Sequence, residues 1–381
     1  MTDYTRPRTR PGQPGHSQGS ATPKRRLGYS GDKAFQTELR TRVNTHFRET
    51  GLGRQDVAAW YGKAAMILFS FAASYALLVF AAAAWWQAVP LTIVLALSVV
   101  GIGFNIMHDG GHGAISRHRT INRLMAHTLD MAGGSSYLWH WKHGVLHHNY
   151  ANITGHDMDV SIGALARFTP HQPHYRHQRW QHWYVWLLYG LLAVKWQLYD
   201  DFKVLLTGRI GPHRIPRPRG ADLAMLLIGK LVFFVLAFVI PLRLHSIQVF
   251  VPYYLFFAVV LGFVLSVVFQ LAHTVEEASF PDVPAGSNSV DNSWAVHQVQ
   301  TTVNFCHGNR IVTWLLGGLN YQIEHHLFPE INHCNYPGIS KIVKATCVEY
   351  GIAYKEHASF QAGLRSHVRW LRRMGSIEAV A

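Results

Sequence analysis

Four runs of apolar residues, at about 64–86, 89–107, 223–242 and 249–272, leave this chain few folds to choose from. Each is close to the ~20 residues that a helix needs to cross a bilayer. In that solvent every backbone N–H and C=O must be satisfied inside the segment, which dictates helix. Composition agrees. Charged residues make up 15% of the chain, against about 25% in an average soluble domain. Many of the 12 Trp and 16 Tyr fall at the ends of the apolar runs, where amphipathic rings suit the bilayer interface. The first two runs are joined by Gln87-Ala88 and the last two by Arg243-Leu244-His245-Ser246, which predicts two tight hairpins.

Charge orients the hairpins. The formal net charge is +14, a surplus that suits nucleic acid or anionic lipid. Apolar spans in the same chain select the membrane surface, and no nucleic-acid partner is expected. Residues 1–63 hold twelve Lys and Arg against five Asp and Glu, and the stretches 108–220 and 273–381 are also basic. The hairpin tips carry only Arg243. The positive-inside rule then places both termini and the large middle loop in the cytosol. Residues 1–30 read as a disordered basic tail, and with no apolar stretch after Met1 no signal peptide is expected. Phe35, Leu39, Val43 and Phe47 share one face of a short helix over 33–50. The interrupted apolar segments 123–139 and 183–206 suggest helices lying in the interface. Lys230 falls inside the third run and is expected to snorkel or pack. Cys306, Cys334 and Cys347 show no C-x-x-C spacing and read as reduced thiols.

The chemistry lies in three histidine clusters outside the apolar runs: His108-Asp109-Gly110-Gly111-His112, His143-Gly144-Val145-Leu146-His147-His148 and Gln322-Ile323-Glu324-His325-His326. On an α-helix, residues four apart share a face, so His108 pairs with His112 and His143 with His147. His148 would be turned about 100° away. Adjacent histidines pointing different ways suit two neighbouring metal ions rather than one. His273, directly after the fourth run, is an eighth donor, and the total exceeds the four ligands of a structural zinc site. Imidazole suits Zn, Cu, Fe and Ni alike. Asp109, Asp157, Asp159 and Glu324 stand where carboxylates would hold ring tautomers. His118, His171, His174, His177, His182 and His213 lack ligand spacing. A metal transporter is disfavoured, because the four runs contain essentially one charge, Lys230, and no histidine.

At these residues the chain resembles the membrane fatty acid desaturases, and among them the front-end, Δ6-like branch whose last box begins with Gln. The matching stretches are His108 to Gly113, Trp141 to Asn149, and Gly317-Gly318-Leu319-Asn320-Tyr321-Gln322-Ile323-Glu324-His325-His326-Leu327-Phe328-Pro329. The resemblance implies an all-α integral membrane protein: four transmembrane helices in two hairpins under a cytosolic helical cap that holds a histidine-rich di-iron site. A desaturase domain is expected over 31–365 and a C-terminal tail over 366–381. His108, His112, His143, His147, His148, His325 and His326 would be ligands to two non-haem iron ions, with Gln322 in the place of a ligand His and His273 as the extra ligand. O2 would be the co-substrate and a fatty acyl chain the substrate. In the acyl-CoA Δ9 branch an Asn four residues before that extra His holds a water on iron; here Phe269 stands in its place, beside Gln270.

The expected reaction is O2-dependent desaturation of an acyl chain carried on coenzyme A, acyl-carrier protein or lipid. Hydroxylation or acetylenation by the same centre is the alternative. Many eukaryotic front-end enzymes carry a fused cytochrome b5 domain with a His-Pro-Gly-Gly motif. No such motif occurs here, so electrons are expected from a separate ferredoxin or cytochrome b5. The aromatic residues Tyr137, Trp139, Trp141, Phe305, Trp314 and Tyr321 are candidates to line an acyl tunnel.

Overall fold

A computed structural model describes residues 27–283 and 287–376. The chain is mostly helical. The principal elements are α1 (Ala34–Thr50), α2 (Ala58–Phe80) and α3 (Trp85–His112), and α4 (Gln181–Gly190). They are followed by α5 (Ala221–Leu244) and α6 (Ile247–His273), then α7 (Gln322–Leu327), α8 (Tyr336–Glu349) and α9 (Phe360–Ser376). Helices α2, α3, α5 and α6 are the four that are long and apolar enough to cross a membrane. They expose Phe69, Leu77, Val94, Leu231, Leu255 and Phe263, large apolar side chains of the kind that lipid rather than water covers.

The first pair of spans differs from the expected bounds. α2 ends at Phe80 and α3 begins at Trp85, so the link is 81–84 and not Gln87-Ala88. The Gln87 side chain reaches back to accept from the Ala83 and Ala84 N–H groups at 2.9 and 3.2 Å. This side-chain cap satisfies amides that would otherwise be orphaned at the helix start. A run of alanines carries no turn residue, so hydropathy alone reads through the break.

Three further segments depart from the sequence reading. Residues 27–30, assigned to the tail, are built in: Gly28–Tyr29 pairs in parallel with Ser289–Val290, and the Tyr29 hydroxyl donates to the Asn149 carbonyl. Residues 1–26 lie outside the described residues. At the other end α9 runs through residue 365, where a tail was expected to begin, and buries His367, Trp370, Leu371 and Met374. The segment from α4 onward descends beside α6 rather than lying flat. A Cβ on Gly262 would meet the Tyr189 and Gly190 carbonyls at 2.7 Å, and Gly262 is eleven residues, about 16 Å of helix, from His273. α1 behaves as its spacing predicts, burying Phe35, Leu39, Val43 and Phe47 in a cluster with Ile339, Val343 and Cys347 of α8.

Lys230 does not snorkel. Its ammonium is buried on α5 and donates to the Gly133 carbonyl (2.5 Å), the Gln197 carbonyl (3.2 Å) and Asp201 Oδ2 (2.8 Å). It thereby fastens the loop ahead of the second histidine cluster to the segment 196–201. Removing one partner of a buried pair leaves an uncompensated charge, which typically costs about 3–5 kcal/mol. Lys230→Met should therefore lower thermal stability in detergent by about that amount. The double variant Lys230→Met/Asp201→Leu should recover a large part of it, as scanning fluorimetry would register.

Candidate metal centre

All nine residues singled out by the sequence converge. The ring nitrogens of His108, His112, His143 and His325 lie within 4.8 Å of one another, as do those of His147, His273 and His326, and those of His148, His325 and His326. Gln322 Nε2 stands 3.1 Å from His273 Nε2. The first cluster and His273 are not set apart from the apolar helices: His108 and His112 finish α3, and His273 is the last residue of α6. The spans themselves deliver the donors.

The backbone widens where it carries them. Residues Ile102–Met107 and His140–His147 are π-helical, an arrangement that is rare and concentrated at functional sites. The His148 N–H bonds to the His143 carbonyl, five residues back. The expectation that His148 would be turned away from His143 assumed α-helical spacing, and it fails for this reason. In the wider turn His143 faces both following histidines. Its ring stacks on His147 with centroids 5.1 Å apart, and its Nε2 is 3.2 Å from His148 Nε2.

The two glycines of the first cluster have a packing reason. A Cβ on Gly111 would run into the Trp139 ring, and one on Gly110 would sit 2.7 Å from the Ala126 nitrogen. With glycine there, the Trp139 indole packs against His108, His112 and His143 at centroid distances of 5.7, 5.1 and 4.8 Å. Of the aromatic residues proposed as tunnel lining, Trp139 has ring contacts to the histidine cluster. Phe269 stacks on His273 at 4.7 Å and lies 5.2 Å from His147, putting an apolar ring where an amide was the alternative.

Outer partners fix several rings. Asp157 Oδ2 is 3.0 Å from His147 Nδ1, so the imidazole donates outward and keeps Nε2 free. Gln298 Oε1 is 2.8 Å from His326 Nδ1 and the Tyr336 hydroxyl 3.3 Å from His325 Nδ1. Asp159 lies 3.8 Å from His143 Nδ1 and forms a closer pair with Lys142 at 2.6 Å. Asp109 bonds His333 at 2.7 Å and is 4.0 Å from His108. Glu324 holds no ring: it accepts from Asn304 and Tyr354 at 2.8 and 2.9 Å. Gln298, Tyr336 and His333 carry no local motif and were not singled out by the sequence. Asn152, at φ +60°, donates to the carbonyls of His273, Ser279 and Thr301, tying the second cluster to the end of α6.

Burial sets the protonation states. It pushes His143 down to about 3 and holds His148, His325 and His326 well below the usual imidazole range. For His147 burial is outweighed by Asp157, and the ring's pKa is raised. Neutral imidazole is the ligating form. The His108, His112, His147, His325 and His326 Nε2 atoms are buried with no hydrogen-bond partner. Buried polar atoms are ordinarily satisfied, so this set of inward nitrogens fits metal coordination.

Three of the histidines without ligand spacing serve the scaffold. His171, His174 and His177 bond the Phe280, Gly375 and Ala164 carbonyls. The three cysteines are free and unpaired with one another.

Apolar helices converging on a buried set of imidazoles define a membrane protein able to hold metal at the ends of its spans. The model of the family described as Fatty acid desaturase matches residues 83–358, and the chain belongs to that family. It is 36% identical over 354 residues to an sn-1 linoleoyl-lipid 6-desaturase of Synechocystis sp., covering 92% of this chain and 98% of the relative. Identity is again 36%, over 89% of this chain and 92% of the relative, with the sn-1 linoleoyl-lipid 6-desaturase of Arthrospira platensis. An acyl-lipid (8-3)-desaturase of Physcomitrium patens is 32% identical over 90% of this chain and 72% of its own length. The front-end resemblance carried by the Gln322 cluster agrees with these relatives.

Two substitutions test the geometry. Asp157→Asn should weaken metal binding about 10–100-fold, measured by metal content during dialysis against a graded chelator. Gly111→Ala should lower metal content through its clash with Trp139, and the added change Trp139→Leu should restore part of it.

Proposed function

We propose that this chain is an O2-dependent desaturase of lipid-linked fatty acyl chains that holds two iron ions between its histidine clusters and draws electrons from a separate redox protein. The observation that carries the reading is the set of buried, unpartnered imidazole nitrogens drawn from three clusters and His273. The ligands would be His108, His112, His143, His147, His148, His273, His325 and His326, with Gln322 beside them. Iron, when bound, would supply oxygen activation and hydrogen abstraction from an unactivated methylene.

The remaining work falls to the chain's own residues. Asp157, Gln298 and Tyr336 orient rings so that their other nitrogens face inward. Trp139 and Phe269 wall the centre with apolar surface and exclude water from it. The names of two relatives point to a glycerolipid acyl chain as substrate, and the front-end resemblance to insertion on the carboxyl side of an existing double bond. The donor would be a ferredoxin or cytochrome b5. The excess of Lys and Arg outside the spans supports a cytosolic placement of both termini and of the centre, and offers an acidic donor a complementary face.

Expression in a host that supplies such a donor, with total fatty acids profiled by mass spectrometry, tests the reading. The expected result is a product lighter by two hydrogens, absent from the His325→Ala/His326→Ala variant, with the wild type purifying with iron. A product heavier by one oxygen would assign hydroxylation instead, and a protein that binds no iron would overturn the reading.

A further inference from the structure

A hollow of about 350 Å3 lies between α2, α3, α5 and α6. Pockets for small molecules begin at about this size. None of the clustered histidines lines it. On α3 its lining reaches Val99, nine residues and about 13 Å of helix short of His108. The walls are largely apolar, with Phe71, Leu95, Phe233 and Phe257 among them.

Two of the lining side chains carry polar atoms that lack a partner. Gln197 lines the hollow and is 4% exposed. Its Nε2 donates to the Ala132 carbonyl at 2.9 Å, which fixes the amide's orientation and identifies Oε1 as the remaining atom. That oxygen is buried and has no partner, and neither does the Tyr254 hydroxyl, which lines the same hollow. Among membrane-spanning helices such groups ordinarily find partners within the protein. An amide oxygen only accepts. A hydrocarbon tail or an ester offers it nothing, whereas an O–H group does.

We propose that this hollow is a binding site for a hydroxyl-bearing lipid, whose O–H donates to Gln197 Oε1 and whose hydrocarbon fills the space between the four helices. Tyr254 supplies a second hydrogen-bonding group in the same walls. A long-chain alcohol and a ring alcohol of the sterol type share this chemistry.

The test uses the full chain in lipid nanodiscs with photoreactive hexadecanol and its methyl ether as probes. The alcohol should label peptides within 92–99 or 249–257 roughly five- to tenfold more than the ether, the worth of about one neutral hydrogen bond. Gln197→Leu should bring the alcohol down to the ether's level, and Leu95→Trp, which fills the hollow, should abolish labelling by both. Competition by unlabelled hexadecanol assigns the chain alcohol, competition by cholesterol assigns the ring alcohol, and competition by neither overturns the proposal. Equal labelling by alcohol and ether in the wild type also overturns it and needs no variant. Iron content and elution as a folded species control for misfolding of the variants. No readout involves turnover, so failure here leaves the desaturase reading standing.

Discussion

Imidazole rings packed a few ångströms apart in a dry interior, with several inward nitrogens unanswered by any protein atom, are the condition that the rest of the molecule accommodates. Burial strips the rings of protons, as His143, His148, His325 and His326 show. A neutral ring still needs an orientation, and Asp157, Gln298 and Tyr336 supply it from outside. The helices supply position. α3 and α6 end at the centre, and the π-helical turn over His140–His147 brings His143, His147 and His148 to it from one short segment.

The parts of this arrangement legible in the sequence are those that depend on local order. Twenty apolar residues in a row announce a span, and α2, α3, α5 and α6 all appear where runs were seen. Histidines four apart announce a shared face, and adjacent ones announce two directions, so the histidines that converge could be named from the sequence. Gln322 and His273 met because each stood at a recognisable offset from a cluster or a span end.

What was not legible depends on the partner and not on the neighbour. Gln298 and Tyr336 contact His326 and His325 from 28 and 11 residues away, with no periodicity to mark them. For Lys230 the sequence left snorkelling and packing open, because its acceptors, Gly133, Gln197 and Asp201, come from other segments. The Gly110-Gly111 pair was visible, but its reason was hidden in Trp139 and Ala126. The π-helical widening lies between these cases: the spacing of five from His143 to His148 was present, and α-helical geometry was the wrong ruler for it.

The close approach of Gly190 to Gly262 bears on the order in which the chain can be built. The wall against which the α4 segment rests belongs to α6, whose first residue follows the last residue of α4 by more than fifty positions. Synthesis proceeds from the N-terminus, so Val185, Tyr189 and Ala193, which the finished protein buries in one cluster with Ala258 and Leu261 of α6, leave the ribosome before their berth exists. Until then the segment suits the membrane surface, since Trp183, Leu187 and Leu191 on its other face stay exposed and such residues are tolerated there. Only when α6 has been inserted can the segment sink beside it, drawing Gln197 toward Lys230. The two small residues that make this descent sterically possible thus make completion of the lower part of the molecule a late event in its biogenesis.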